Sequence, residues 1–305
     1  MRKPWQSGRW TWRAASAGTI AGLFLLFSGQ ASAGIADTKH NLGSGTGPAG
    51  RNQVTGSGAA GTAEICVFCH TPHGADTAAP APLWNKRLGA AGAPAGGGTY
   101  TTYASLNTPS LDGTVAAVGS ISMACLSCHD GTQAMDNIIN APGSGGYDAT
   151  GGGNTGLAYT WAGSRVNTDG VMQNGGGFIA MLGTDLSNDH PIGIQYCGGG
   201  LSGSGTTVSG TCKDGDFKAP ETATINGNQV FWVDTGLAGS KQRTDLPLYS
   251  RSPDTLGPLV ECASCHDPHV NAGDAGPTGT GVTSGATFLR VSNDSSKVCT
   301  TCHVK

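Results

Sequence analysis

Four copies of one five-residue pattern constrain this chain more than anything else in it. They read Cys66-Val-Phe-Cys69-His70, Cys125-Leu-Ser-Cys128-His129, Cys262-Ala-Ser-Cys265-His266 and Cys299-Thr-Thr-Cys302-His303. On a helical turn residues i and i+3 share a face, so both thiols of each run point the same way, with the histidine directly after them. That arrangement suits attachment of a haem c: two thioethers to the vinyl groups of one porphyrin, and an imidazole binding its iron from the proximal side. The pattern predicts four covalently bound haems, with Cys66, Cys69, Cys125, Cys128, Cys262, Cys265, Cys299 and Cys302 as attachment points. Zinc could use the same donors, but its ligand spacing does not call for a histidine directly after the second cysteine every time. A thioredoxin-like redox site needs a βαβ context that surrounds none of the runs.

The histidine count extends the argument. There are eight: His70, His129, His266 and His303 in the motifs, and His40, His73, His190 and His269 outside them. Histidine on both faces of four irons uses all eight and leaves none over. Methionine is the competing sixth ligand, available at Met123, Met135, Met172 and Met181, and it would leave a histidine unexplained. Six-coordinate iron offers no open position for a substrate, so the count favours electron transfer over catalysis. Bis-imidazole ligation also lacks the thioether that raises the potential of His/Met cytochromes, so low reduction potentials are expected.

Two of the extra histidines sit in doubled motifs, Cys69-His70-Thr-Pro-His73 and Cys265-His266-Asp-Pro-His269. A histidine three residues after the proximal ligand cannot swing to the opposite face of the same porphyrin, so it serves a different haem. Pro72 and Pro268 stop the local helix and turn the second imidazole outward. The order of ligands repeats weakly: a distal histidine, a doubled motif and a single motif fall within about 34–135, and again within about 186–305. By that repeat His73 is expected to ligate the haem of Cys125 and Cys128, and His269 the haem of Cys299 and Cys302.

Outside the motifs the chain is poor in ordinary core material. Glycine supplies 51 of 305 residues, aromatic residues 6% and charged residues 12%. Large flat porphyrins would replace the missing aliphatic core, and ligation would double as folding energy, so the apo-chain is expected to be largely unstructured. The expected fold is mostly irregular and loop-rich, with short helices at the haem motifs and a small β-hairpin. Residues 41–61 and 89–98 read as glycine-rich loop, and their G-x-G runs lack the strand and helix of a nucleotide site. Segment 221–234 reads as the hairpin, turning at Asn226-Gly227 in a type I′ turn. Asp294 or Ser295 is expected to cap the last helix, and Pro82-Leu83-Trp84 to pack a ring on a haem or its neighbour. The two spare cysteines, Cys197 and Cys212, are expected to form a disulfide.

The first residues read as an export signal. Arg2, Lys3, Arg9 and Arg13 precede an apolar run from about Ala17 to Phe27, and Ala31-Ser32-Ala33 supplies small residues for cleavage. The run is too short for a comfortable membrane span. A mature chain of residues 34–305 without a membrane span is expected. Its thirteen basic residues against 20 acidic ones give a net charge of −7, which argues against nucleic acid as a partner.

Several stretches carry a family likeness. Thr38-Lys-His40-Asn-Leu, Ile65 to His73, Pro82-Leu-Trp-Asn85, Leu186-Ser-Asn-Asp-His-Pro-Ile192 and Cys262 to His269 resemble multihaem c-type cytochromes with doubled Cys-x-x-Cys-His motifs. Among these the chain is most similar to the OmcE-type tetrahaem cytochromes, which polymerise into extracellular filaments. The resemblance implies a subunit wrapped around a continuous haem chain and stacked head to tail as a nanowire, located outside the cell or on its surface. Its partners would be other copies of itself, redox partner cytochromes and extracellular acceptors. It also implies that a histidine of one subunit can ligate a haem of the next, and His40, on a glycine-rich arm near the mature N-terminus, is the expected one. The arm from Asn41 to Ile65 can span up to about 80 Å, so its reach allows ligation within or between chains. A soluble periplasmic tetrahaem shuttle and, less favoured, a multihaem reductase subunit are the alternative functions.

Pyridine haemochrome assay against protein mass is expected to give four haems c per chain, with intact mass confirming their covalent attachment. A ratio of two or fewer would overturn the reading.

Overall fold

At each Cys-x-x-Cys-His run the backbone closes a helical turn. The first is a 3₁₀ turn, Cys66–Phe68; the others lie on α1 (Ser120–His129), α2 (Cys262–Cys265) and α3 (Lys297–Cys302). The backbone N–H of His70, His266 and His303 donates to the carbonyl of the first cysteine of its own run, at 2.7, 3.0 and 2.9 Å. Helix α1 is the longest because nothing from Ser120 to His129 breaks it, and glycines at 119 and 131 bracket it. It buries Ser122, Met123, Ala124, Leu126 and Ser127. Before α3 the cap differs from expectation: a 3₁₀ turn takes up Asp294–Ser296, and Ser296, at φ 58°, is the residue that precedes the helix, without a side-chain capping bond.

The computed structural model describes residues 34–45, 53–90, 92–148, 156–162, 165–174, 179–204, 207–236, 241–251, 256–269 and 288–304. The leader at 1–33 lies outside the described residues, as does 46–52 of the first glycine-rich stretch. Among the described residues no helix is long and apolar enough to cross a membrane.

Strands are short and antiparallel. β1 (Gln53–Val54) pairs with β2 (Trp161–Ala162), and β3 (Ile194–Gln195) with β9 (Leu259–Val260). β4 (Leu201–Ser204) and β5 (Thr207–Gly210) form one hairpin. β6 (Glu221–Ile225) and β7 (Asn228–Val233) form the hairpin expected from the sequence. Its turn residues Asn226 and Gly227 have φ of 50° and 78°, the doubly positive pattern a type I′ turn requires. The third strand, β8 (Leu246–Leu248), pairs with β7. Its central residue is Pro247, which gives up an N–H and is tolerated because β8 lies at the sheet edge.

In place of one large core there are patches, several of them against motif cysteines. Val54, Phe68, Met135, Ile138 and Tyr159 pack with Cys69 and Cys128. Tyr196, Phe231 and Leu246 pack with Phe217 and Cys302. Val118, Met123, Leu126, Leu186 and Ile192 pack with Cys262. Polar groups fasten the patches together. Lys86 is fully buried and donates to the carbonyls of Ala134, Met135 and Asn137 at 2.8, 3.2 and 3.0 Å. Glu261 is also buried, and accepts from Arg251 and from Ser122 Oγ, while Ser122 Oγ accepts from the Cys262 N–H. Ser122 and Glu261 belong to the two ligand units read in the sequence, so those units interlock; Gly34–Lys305 packs as one unit.

Cys197 and Cys212 form the expected disulfide, with their Cα atoms 5.3 Å apart. It ties the open end of the β4–β5 hairpin, next to the Leu201–Gly210 pair. Closing a loop of this size contributes about 3 kcal/mol. Replacing both cysteines with serine is expected to lower the stability to denaturant by about that amount without changing the haem content.

Candidate cofactor site

Each motif histidine is braced by a strap from elsewhere in the chain. His70 makes a β-bridge with Trp84: Thr71 N–H donates to the Leu83 carbonyl at 2.8 Å and Asn85 N–H to the Cys69 carbonyl at 2.8 Å. His266 repeats this with Leu289: Asp267 N–H donates to Phe288 and Arg290 N–H to Cys265, at 2.9 and 2.8 Å. At His303 the bridge is to Phe217, with Val304 N–H donating to Asp216 and Lys218 N–H to Cys302, at 2.8 and 2.9 Å. Leu83 and Phe288 hold equivalent places and share a left-handed backbone, φ 53° and 54°. His129 is held by residues 180–183, where Leu182 N–H donates to its carbonyl at 2.8 Å. The sequence had signalled only the strap containing Trp84, whose ring meets His70 edge-on at 5.8 Å between centroids.

Three motif histidines face a histidine from outside their own run. The ring centroids are 6.2 Å apart for His70 and His269, 6.1 Å for His40 and His129, and 5.8 Å for His190 and His266. Two axial metal–nitrogen bonds of about 2 Å, with about 1 Å from each nitrogen to its ring centre, put two imidazoles on one iron about 6 Å apart. Nδ1 of His70 and of His129 lies 2.7 and 2.6 Å from the carbonyls of Pro82 and Ala180. A carbonyl only accepts, so a neutral ring bonded in this way carries its proton on Nδ1 and offers Nε2 to a metal. His40 is half-buried, and desolvation together with the nearby His129 pushes its pKa down to about 4 against the opposing pull of the Pro268 carbonyl. It is therefore a neutral imidazole, as a ligand must be, and its buried Nδ1 has no hydrogen-bond partner. A histidine pair suits the axial positions of an iron whose other four donors come from a porphyrin, and falls short of the four-ligand shell of zinc. Among the described residues no three His, Cys, Asp or Glu side chains gather as such a shell.

This pairing differs from the one expected. His269 lies against His70 rather than near His303, and His129 has His40 beside it rather than His73. His40, expected to reach a neighbouring subunit, is half-buried against its own chain and stacked on Phe288 at 4.1 Å. His73 and His303 are left, with no ring contact between them or to another histidine among the described residues. His303 instead meets Phe217 at 4.3 Å. Phe217 and Phe288 were not signalled by the sequence, which offers only an isolated aromatic residue at each place.

The cysteines give the order of the sites. Cys69 and Cys128 border the same apolar patch. The Cys125 thiol hydrogen-bonds Cys262, which holds the first up and the second down in pKa. Cys265 lies within electrostatic reach of both Cys299 and Cys302. Consecutive motifs in the chain are thus consecutive in space. Comparison of the chain with models of protein families, with curated proteins and with solved structures finds no match. Replacing His40 with alanine is expected to leave the haem content unchanged and to open one axial position, seen in resonance Raman spectra as a high-spin population that added imidazole removes.

Proposed function

We propose that this chain is an exported tetrahaem cytochrome whose task is electron transfer. What carries the reading is the set of three histidine pairs at 5.8–6.2 Å, each containing the histidine of a Cys-x-x-Cys-His run. A bound haem supplies a one-electron iron couple. The chain's residues hold it by two thioethers, orient it through the braced proximal imidazole, and cap it with the distal one. Cys66/Cys69, Cys125/Cys128, Cys262/Cys265 and Cys299/Cys302 hold the first to fourth groups in sequence. His70 with His269, His129 with His40, and His266 with His190 ligate the first three.

The leftover pair supports the polymeric form of this reading. His303 belongs to the fourth site, and His73 follows the first site's ligand by three residues. They sit at opposite ends of the order in which the sites adjoin. Contact between the first site of one subunit and the fourth of the next would bring His73 to the open face of the neighbour's haem. Each has a large apolar side chain exposed nearby: Leu83 and Tyr147 near His73 are 55% and 59% exposed, and Val304 after His303 is 55% exposed. Tyr147 lies against Gly74, where an added Cβ would come within 2.9 Å of its ring. In this reading the shared ligand is His73, not His40, and the chain is a subunit of an extracellular conducting filament.

Electron microscopy of the secreted protein is expected to show filaments for the wild type and only monomers for His73→Ala, which keeps all its haems. Wild-type monomers are expected to contain one haem in four without a second histidine, and this population is expected to vanish on assembly. Monomeric wild-type protein with every iron bis-histidine would identify a soluble shuttle instead. A monomer that keeps the fourth site open would return the reductase reading.

A further inference from the structure

The two doubled motifs differ at one informative place. The residue between the proximal histidine and the proline is Thr71 in the first and Asp267 in the second. Thr71 is buried, and its hydroxyl donates to the backbone carbonyl of His73 at 3.0 Å. Asp267 turns to the following histidine instead. Its Oδ1 accepts from the backbone N–H of His269 at 3.0 Å and lies 3.2 Å from the ring Nδ1. Its Oδ2 accepts from Arg290 Nη1 at 3.2 Å. Arg290 is fixed in turn: Nε donates to the Ala263 carbonyl and Nη1 to that of Arg243, at 3.0 and 3.2 Å. The acceptors at Nδ1 of His70 and His129 are neutral carbonyls, whereas the one at His269 is a carboxylate.

Resting on the reading of His70 and His269 as the axial ligands of one iron, we propose that Asp267 is a positioning residue that lowers that haem's reduction potential through the Nδ1–H of His269. A hydrogen bond from a ligating imidazole to an anion fixes the ring and pushes electron density toward the metal. A more basic ligand favours the ferric state, and second-shell hydrogen bonding is one of the levers that set haem potentials. Arg290 opposes the effect by taking a share of the same carboxylate. The asymmetry between the duplicated motifs is then functional. The site that begins the chain's order takes its distal ligand, and the charge behind it, from the second motif.

The test is a spectroelectrochemical titration of the haem-loaded protein. His269→Ala first identifies which of the four one-electron steps belongs to this site, since it opens that iron's axial position. Asp267→Asn keeps an acceptor for Nδ1 but removes the charge, and is expected to move that step upward while leaving the other three in place and the iron low-spin. Arg290→Gln, which returns the whole carboxylate to His269, is expected to move the same step downward. Asp267→Thr, copying the first motif, serves if the asparagine variant does not load its haems, and the same upward shift is expected. Unmoved potentials in the Asp267 variants, or shifts of the same sign in the Asp267 and Arg290 variants, would overturn the proposal while leaving the tetrahaem reading intact. A wild-type protein lacking four haem steps would overturn that reading instead.

Discussion

The helical turn at each Cys-x-x-Cys-His run is the constraint on which the rest depends. One backbone bond from the histidine N–H to the first cysteine's carbonyl, 2.7–3.0 Å where it is seen at the first, third and fourth runs, sets two thiols and an imidazole in fixed relation. The chain then has to hold those turns at suitable separations. It does so with backbone straps rather than with a large core. At His70, His266 and His303 the strap adds two N–H to carbonyl bonds across the histidine and the cysteine before it. Such bonds leave the side chains free to face whatever lies beyond.

That economy accounts for the composition. The apolar patches are small, and they border cysteines that would carry porphyrin. The energetic burden of burying polar groups is met locally. The buried Lys86 side chain donates to three backbone carbonyls, and charge-assisted hydrogen bonds of this kind are the strong ones. Glu261 uses Arg251 and Ser122, and so joins the helix of the second site to that of the third. Breaking such a pair by removing one partner costs about 3–5 kcal/mol, so these contacts matter more here than in a chain with a broad aliphatic core.

What could be read from the sequence was whatever depends on short-range spacing. The turns at the four runs, the hairpin over Glu221–Val233 and the Cys197–Cys212 bond are all of that kind. The strap residues were hidden because their bonds are made by backbone groups that every residue carries; only a tryptophan drew notice to one of them. The placement of the distal histidines differs from the expected assignments for another reason. A repeated ligand order suggests that each half serves itself, and so points His73 at His129 and His269 at His303. The chain instead crosses the halves at one pair, bringing His269 to His70, while His40 meets His129 within its own half. Nothing in a linear pattern distinguishes a duplicated unit that closes on itself from one that exchanges ligands with its twin.

The placement of His269 beside His70, across the halves, also bears on assembly. If His269 of the second half serves the first site, the same geometry applied to the first half would send His73 to the site after the second half. Within one chain there is no such site, and the next subunit supplies one. A polymer of this kind would extend between molecules the crossing proposed for His269 and His70. Exposed Leu83, Tyr147 and Val304 offer too little apolar area to hold such a contact alone, since burial returns about 25 cal/mol per Å² and standard protein interfaces bury about 1,600 Å². A coordinate bond between the subunits would answer that shortage. It would also make joining the subunits and completing the last iron's ligand set a single event, so that a site would be finished only where the electron path continues.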